Sequence, residues 1–185
     1  MARFVLGFVG RLASGKAVCQ KYLGEKYGAK SARFSTPLRD IMDRLYLPAT
    51  REGLQGLSLD LRNRFGADIL SRVIAEDALK NDSEIVVIDG VRRLEDISSL
   101  KDIPGFYLIS IEADPNTRYE RMKQRNENAG DAEKTYPEFL ADENREAEQQ
   151  IPETMAAASF HLDNNGDLEN LESQLDNLIE EIKNK

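Results

Sequence analysis

The sequence predicts an α/β protein built around a mostly parallel sheet. Short apolar runs alternate with longer amphipathic stretches along all 185 residues. The first run, at 4–9, is almost continuously apolar, which is typical of a parallel strand buried on both faces. A chain of this length is expected to form one domain over residues 1–185.

Five apolar runs are the predicted strands of this sheet. They lie at 4–9, 32–34, 85–89, 106–111 and 159–163. Amphipathic stretches between them predict helices at about 15–27, 36–80 with breaks near Pro48 and Gly66, 115–125, 137–150 and 168–183. Cys19, Phe34, Phe65 and Phe106 are expected in the core. His161, on the last strand, is assigned no chemistry.

Charge is unevenly distributed between the two parts of the chain. The net charge is −8, but residues 1–125 carry a net +4 and residues 126–185 a net −12. An acidic protein is a poor candidate for binding nucleic acid, which requires phosphates to be neutralised. No apolar run is long enough to span a bilayer, and the single cysteine excludes an internal disulfide. We expect a cytoplasmic protein with no nucleic-acid or membrane partner.

A glycine-rich segment joins the first predicted strand to the first predicted helix. Gly10-Arg11-Leu12-Ala13-Ser14-Gly15-Lys16 matches the pattern G-x-x-x-x-G-K in the context that this pattern requires. Glycines let the backbone curl so that N–H groups point at phosphate oxygens, and the helix N-terminus adds partial positive charge. Lys16 can reach the outer phosphates as a point charge. The segment predicts binding of the phosphates of a nucleotide such as ATP.

The two residues after this lysine depart from the usual pattern. Phosphate-binding loops of this kind usually carry Ser or Thr after the Lys, where the hydroxyl binds Mg²⁺. Ala17 and Val18 stand here instead, and neither has a hydroxyl. Backbone binding of phosphate is unaffected, but Mg²⁺ would have to be held through water, by the nucleotide and Asp89. The departure weakens the case for fast catalysis more than the case for binding.

Asp89 ends the third predicted strand. Ligands of open α/β sheets bind at the carboxyl edge of the strands, so its carboxylate is expected beside the glycine loop. Its expected role is to hold Mg²⁺ or a metal-bound water. The alternative is an Asp that only caps a turn with Gly90.

Arginines recur wherever the chain is expected to return to this edge of the sheet. Arg39 follows the second strand, Arg62 lies in the next helical stretch, and two more follow the third strand, Arg92 and Arg93. Three others share one face of a helix: Arg118, Arg121 and Arg125. Guanidinium groups stabilise the charge that moves in phosphoryl transfer. For the last three, a solvated face paired with acids is the alternative.

Four segments resemble the nucleoside monophosphate kinase group of P-loop proteins, which includes the dephospho-CoA kinases. They are Phe34-Ser35-Thr36-Pro37-Leu38-Arg39, Asp89-Gly90-Val91-Arg92-Arg93, the helix 118–125, and the tail Asp163-Asn164-Asn165-Gly166-Asp167-Leu168. The resemblance covers nearly the whole chain. It implies a three-layer P-loop fold with a five-stranded parallel sheet of order 2-3-1-4-5, a helical acceptor-binding insert at 36–66, and a lid at 126–150.

The resemblance also implies roles for individual residues. The acceptor monophosphate would be bound by Arg39 and Arg93, with Arg92 as the alternative to Arg93. Arg62 would assist, and Ser35 would belong to the same acceptor site. The base of ATP would be flanked by Asn164, Asn165 and Gly166. The moving phosphoryl charge would be neutralised by Mg²⁺ together with Lys16, Arg118, Arg121 and Arg125.

Three functions remain open from the sequence. The leading hypothesis is ATP-dependent phosphoryl transfer to a small phosphorylated acceptor, most simply a nucleoside or deoxynucleoside monophosphate. Dephospho-CoA is the alternative acceptor, disfavoured because Arg33-Phe34-Ser35 replaces the Asp-x-Asp of those kinases. The hypothesis of another class is a nucleotide-binding regulator with weakened catalysis, favoured by Ala17 and Val18. The chain is expected to be a monomer or a homodimer.

Overall fold

The computed structural model describes residues 3–125, 131–144 and 146–185. Five strands form one sheet: β1 (Phe4–Val9), β2 (Lys30–Arg33), β3 (Ile85–Asp89), β4 (Phe106–Glu112) and β5 (Phe160–Asp163). All the pairings are parallel and the order is β2-β3-β1-β4-β5. The expected fold class and strand order are therefore confirmed.

Helices cover both faces of this sheet. They are α1 (Lys16–Tyr27), α2 (Ser35–Arg44), α3 (Arg51–Phe65), α4 (Ile69–Lys80), α5 (Pro115–Arg125), α6 (Tyr136–Asp142), α7 (Glu146–Gln149), α8 (Ile151–Ala156) and α9 (Leu168–Lys183). Two short 3₁₀ helices, Leu94–Ile97 and Leu100–Asp102, lie between β3 and β4.

The three layers follow from the apolar strands, which present side chains to both faces. On one face, Leu6 and Ile109 pack with residues of α1 and α9 such as Cys19 and Leu175. On the other, Val5 and Ile88 pack with α2, α4 and α8. Because β1 lies between β3 and β4, its carboxyl end is flanked by the ends of both neighbours. This arrangement brings the glycine loop, Asp89 and the start of α5 to one edge.

Local signals in the sequence explain several helix ends. Gly28 ends α1 in the left-handed conformation, with φ of 66°. Thr50 begins α3 and accepts a hydrogen bond from the Gly53 N–H at 3.1 Å. Asp167 begins α9 in the same way, accepting from the Asn170 N–H at 2.9 Å. Each of these residues satisfies backbone groups that a helix end leaves unpaired.

Two expectations about local structure were wrong. Phe65 is 54% exposed rather than in the core, because α3 contacts the body of the protein through other, partly buried leucines. The single helix expected at 137–150 is instead α6 and α7, and α6 ends in a turn at Glu143. The side chain of Glu143 pairs with Arg11 and Arg118, which lie outside α6 and hold the chain in place where the helix ends. Of the expected lid, 126–130 and 145 lie outside the described residues.

Candidate active site

The glycine loop, residues 10–16, curls tightly between β1 and α1. A Cβ at Gly10 would lie 2.5 Å from the carbonyl oxygen of Ile111, and one at Gly15 would collide with the side-chain amide of Asn164. Gly15 also has a φ of 113°, and Ala13 a φ of 60°. The close approach of the backbone therefore requires glycine at both ends of the loop. The loop leads directly into the N-terminus of α1, which favours anions.

Lys16 folds back over this loop. Its Nζ donates hydrogen bonds to the carbonyl oxygens of Gly10, at 2.5 Å, and Arg11, at 3.0 Å. Burial lowers the pKa of Lys16 from 10.5 to about 8; Asp89 and Glu148 raise this pKa, whereas Arg92 and Arg125 lower it further. These four charged side chains therefore lie close enough to Lys16 to act on it electrostatically. The structure thus brings together the lysine, the strand-end acid and two of the predicted arginines.

Asp89 lies at the end of β3 and is half-buried. Its Oδ2 is 3.4 Å from Nε of Arg33, so its carboxylate has a cationic neighbour on β2. No group of three or more His, Cys, Asp or Glu side chains suited to a metal ion occurs among the described residues. Ala17 and Val18 begin α1 and are exposed. The side-chain oxygens available to a metal beside the loop are therefore few.

Asp96 organises the predicted acceptor arginines on the β3 side of the edge. Its Oδ1 accepts a hydrogen bond from Nη2 of Arg62 at 2.9 Å. Its Oδ2 accepts from the backbone N–H groups of Arg92, at 3.0 Å, and Arg93, at 3.2 Å. The side chains of Arg62 and Asp96 are 14% and 4% exposed, so this ion pair is largely buried. We call Arg62, Arg92, Arg93 and Asp96 the acceptor edge.

The arginines of the acceptor edge lie among several charged groups. Burial lowers the pKa of Arg62, and the neighbouring Arg93 acts in the same direction, while Asp96 and Glu95 raise it. Arg92 pairs with Glu148 of α7, at 3.4 Å between Nη1 and Oε1. Two other predicted acceptor residues lie on α2: Ser35 is half-buried at its start, and Arg39 is exposed.

Glu143 joins the glycine loop to α5 on the opposite side of Lys16. Its Oε2 lies 2.9 Å from Nη1 of Arg11, and its Oε1 lies 2.5 Å from Nη1 of Arg118. Arg118 also donates from Nε to the carbonyl of Ala113 at 2.9 Å. Its guanidinium lies 5.4 Å from the ring centre of Phe139 in α6. We call Arg11, Arg118 and Glu143 the lid contact.

The three arginines of α5 therefore have different surroundings. Arg118 is 2% exposed and faces the protein interior, whereas Arg125 is exposed and acts on Lys16. Arg121 donates from Nη1 to the carbonyl of Asn164 at 2.9 Å. The helix thus presents one arginine to the interior, one to the tail loop and one toward the lysine.

The tail loop at 164–166 contacts both the glycine loop and α5. Nδ2 of Asn164 donates to the carbonyl of Ser14 at 2.7 Å, and Oδ1 of Asn165 accepts from the Asp114 N–H at 2.7 Å. Asn164 is buried, whereas Asn165 and Gly166 are exposed. The predicted base-flanking residues thus lie next to the predicted phosphate loop.

Sequence reasoning missed three acidic residues of this site. Asp96 was not singled out, and Glu143 and Glu148 were treated as part of a generally acidic half. Asp96 lies three and four residues after Arg93 and Arg92, a spacing that suits a carboxylate capping a short turn. No local signal marks Glu143 or Glu148, because their partners lie far away in the sequence.

Several of the solved structures with the same fold are named as kinases. Shikimate kinase from Bacteroides thetaiotaomicron matches with a TM-score of 0.62 at 13% identity, over 97% of this chain and 98% of the other. A gluconokinase from Sinorhizobium meliloti matches with a TM-score of 0.54 at 14% identity, over 98% and 95%. The protein therefore has a P-loop kinase-like fold.

Sequence comparison adds a relative of nearly equal length. The chain is 29% identical over 181 residues to UPF0200 protein TK1334 of Thermococcus kodakarensis, covering 95% of this chain and 96% of the relative. That name states no activity. No protein-family profile matches the chain. Among the described helices, none has the length and apolar character needed to cross a membrane.

Proposed function

We propose that this protein is an ATP-dependent phosphotransferase whose acceptor is a small phosphorylated compound, most simply a nucleoside or deoxynucleoside monophosphate. One observation carries the proposal: a glycine loop with its lysine and a cation-rich acceptor edge meet at the same end of the sheet. The first suits the phosphates of a donor, and the second suits a further phosphate. Adjacent anion sites are what transfer between two phosphates requires.

In this proposal, different residues bind the donor phosphates and the acceptor phosphate. The backbone of residues 10–18 binds the donor phosphates, and Lys16 exchanges its carbonyl contacts for phosphate oxygens. Arg62 and Arg93 bind the acceptor phosphate, with Arg39, Arg92 and Ser35 around it. Arg121 and Arg125 lie toward the donor, whereas Arg118 holds α5 against the loop. The acceptor is already an anion, so no general base is required.

Magnesium would supply positive charge to the transferring phosphoryl group. Asp89, at the end of β3, would hold it through water. A single carboxylate fits this ion, because Mg²⁺ keeps several waters and shares phosphate oxygens rather than occupying an all-protein site. Ala17 and Val18 provide no side-chain ligand.

The test is ADP formation from ATP and Mg²⁺ over a panel of acceptors. The panel contains ribo- and deoxynucleoside monophosphates and dephospho-CoA, with shikimate and gluconate as unphosphorylated controls. We expect stimulation by a monophosphate and none by the two controls, because neither control carries the phosphate that the arginines of the acceptor edge would bind. ATP binding without stimulation by any acceptor would contradict the proposal.

A nucleotide-binding regulator with weakened catalysis is the second candidate. Two observations favour it: no hydroxyl follows Lys16, and Glu143 neutralises Arg11 of the loop. Val18→Thr separates the candidates, since it places a hydroxyl in the first turn of α1. If the protein is a weakened kinase, turnover rises roughly tenfold and Mg²⁺ dependence sharpens. Unchanged turnover with unchanged Mg²⁺ affinity would contradict that reading.

A further inference from the structure

Asp96 links two elements that approach the acceptor site from different parts of the chain. Arg62 comes from α3, in the expected acceptor-binding insert, and Arg92 and Arg93 come from the loop after β3. One carboxylate receives the Arg62 guanidinium on Oδ1 and both loop N–H groups on Oδ2. Its two oxygens therefore fix the distance between the guanidinium and the loop backbone.

The surroundings of this carboxylate leave it little freedom. Asp96 is 3% exposed and lies in the first 3₁₀ helix after β3. Arg62 is held additionally by Oγ of Ser58, one turn earlier in α3, at 2.5 Å. Charged hydrogen bonds of this kind restrict a long side chain to one orientation, which a flexible arginine would not otherwise keep.

The charges around the Arg62–Asp96 ion pair indicate that the pair does more than stabilise the fold. Two arginines from different elements, Arg62 and Arg93, lie close enough to affect each other, and the carboxylates of Asp96 and Glu95 act on Arg62 as well. Asp96 binds the guanidinium of Arg62 but only the backbone N–H of Arg93. Like charges held together cost free energy unless an anion accompanies them. A phosphate between the two guanidinium groups would supply further negative charge.

We propose that Asp96 is a positioning residue that holds Arg62 and the Arg92–Arg93 loop in register for the phosphate of the acceptor. The inference rests on the proposed function for the identity of the acceptor. Asp96 does not touch the acceptor in this arrangement; it acts through the arginines.

Binding of monophosphates to Asp96→Asn tests this directly. The protein is saturated with ADP to fill the glycine loop, and inorganic phosphate and nucleoside monophosphates are titrated by calorimetry. We expect the monophosphate Kd to rise roughly tenfold or more, because Asn lacks the charge that orients Arg62. The Kd for ADP should change less than about twofold.

Two further variants keep the test interpretable. Asp102→Asn, an exposed aspartate in the next 3₁₀ helix, removes the same charge and should bind monophosphates like the wild type. If Asp96→Asn does not fold, Arg62→Lys replaces it, since lysine keeps the charge but loses the planar fork. Arg62→Lys should also raise the monophosphate Kd and spare ADP binding.

The outcomes separate the inference from the proposed function. A folded Asp96→Asn that binds monophosphates as well as the wild type overturns the inference, as does a wild type that binds no monophosphate. A third outcome is that Asp96→Asn weakens monophosphate binding while the wild type shows no turnover. This outcome supports the inference and contradicts the proposed kinase function. If the wild type shows turnover, Asp96→Asn should raise the KM for the acceptor and leave the KM for ATP unchanged. A merely structural role of Asp96 would change both KM values or neither.

Discussion

The acceptor edge and the lid contact are built from the same residue types but differ in what the carboxylate binds. Each contains an arginine paired with a carboxylate: the partly buried Arg62 with Asp96, and the buried Arg118 with Glu143. At the acceptor edge, Asp96 binds one guanidinium group and two backbone N–H groups of the loop after β3. At the lid contact, each oxygen of Glu143 faces a guanidinium group, one of Arg11 and the other of Arg118.

Because the two carboxylates bind different groups, an arginine near a phosphate loop need not itself be a phosphate ligand. Arg118 binds Glu143 and the carbonyl of Ala113, so it stabilises the packing of α5, α6 and the loop. Arg92 and Arg125, in contrast, lie close enough to Lys16 to lower its pKa. We therefore expect substitutions at the lid contact to act mainly on stability, and substitutions nearer Lys16 to act mainly on binding and turnover.

The largest effect is expected from Lys16→Met, which removes the cation between the two regions. Acceptor-stimulated turnover should fall at least about 100-fold, because the ammonium is the point charge closest to the donor phosphates. Steady-state ADP formation measures it. Lys21→Met, an exposed lysine on the same helix, is the control and should retain activity. Equal losses in both variants would contradict the role of Lys16.

Glu143→Gln is expected to change stability and binding in opposite directions. It leaves Arg118 buried without a counter-charge, so the free energy of unfolding should fall by about 3 kcal/mol. It also frees Arg11, so ATP should bind more tightly. Urea unfolding and nucleotide titration measure the two effects. Glu133 is exposed in the same segment, so Glu133→Gln should change neither stability nor nucleotide binding. A Glu143→Gln protein as stable as the wild type would show that the lid contact does not stabilise the fold.

The pKa of Lys16 predicts two effects of pH. Burial lowers this pKa from 10.5 to about 8, so between pH 8 and 10.5 the unfolded chain keeps a proton that the folded chain has lost. The contribution of Lys16 to stability therefore rises with pH in this window. ATP affinity should fall above pH 8, by at most about tenfold per pH unit, because the ammonium is lost.

Titrating ATP between pH 7.5 and 9.5 measures the second effect. Lys16→Met should show a flat profile over this range, and Lys21→Met should follow the wild type. A wild-type profile as flat as that of Lys16→Met would mean that Lys16 does not titrate near pH 8.

Glu148→Gln should have the smallest effect. The Arg92–Glu148 pair spans 3.4 Å and Arg92 is 44% exposed, so the unfolding free energy should change by less than about 0.5 kcal/mol. Glu148 raises the pKa of Lys16, so its removal should shift the pH profile for ATP binding to slightly lower pH. Urea unfolding and the same pH titration measure both. A loss of stability as large as that from Glu143→Gln would remove the distinction between the two carboxylates.

Much of the fold could be predicted because its signals are local. The apolar runs at Phe4–Val9 and Ile85–Asp89 match their strands to the residue, and the helix Leu168–Lys183 does so too. The glycine loop could be located because its spacing and its strand-to-helix context are both encoded in a few consecutive residues. Where the local pattern was ambiguous, as at 137–150, the prediction merged helices that the structure separates.

The site was predictable in its residue types but not in its pairings. The chain by itself determined a parallel α/β fold, a phosphate-binding loop ending in Lys16, and a set of arginines returning to its edge. Only the tertiary structure decided that Arg118 is bound by Glu143 while Arg62 is bound by Asp96. The physical reason is that an ion pair depends on distance and burial, and these carboxylates lie 25 and 34 residues from their arginines, where no sequence period connects them.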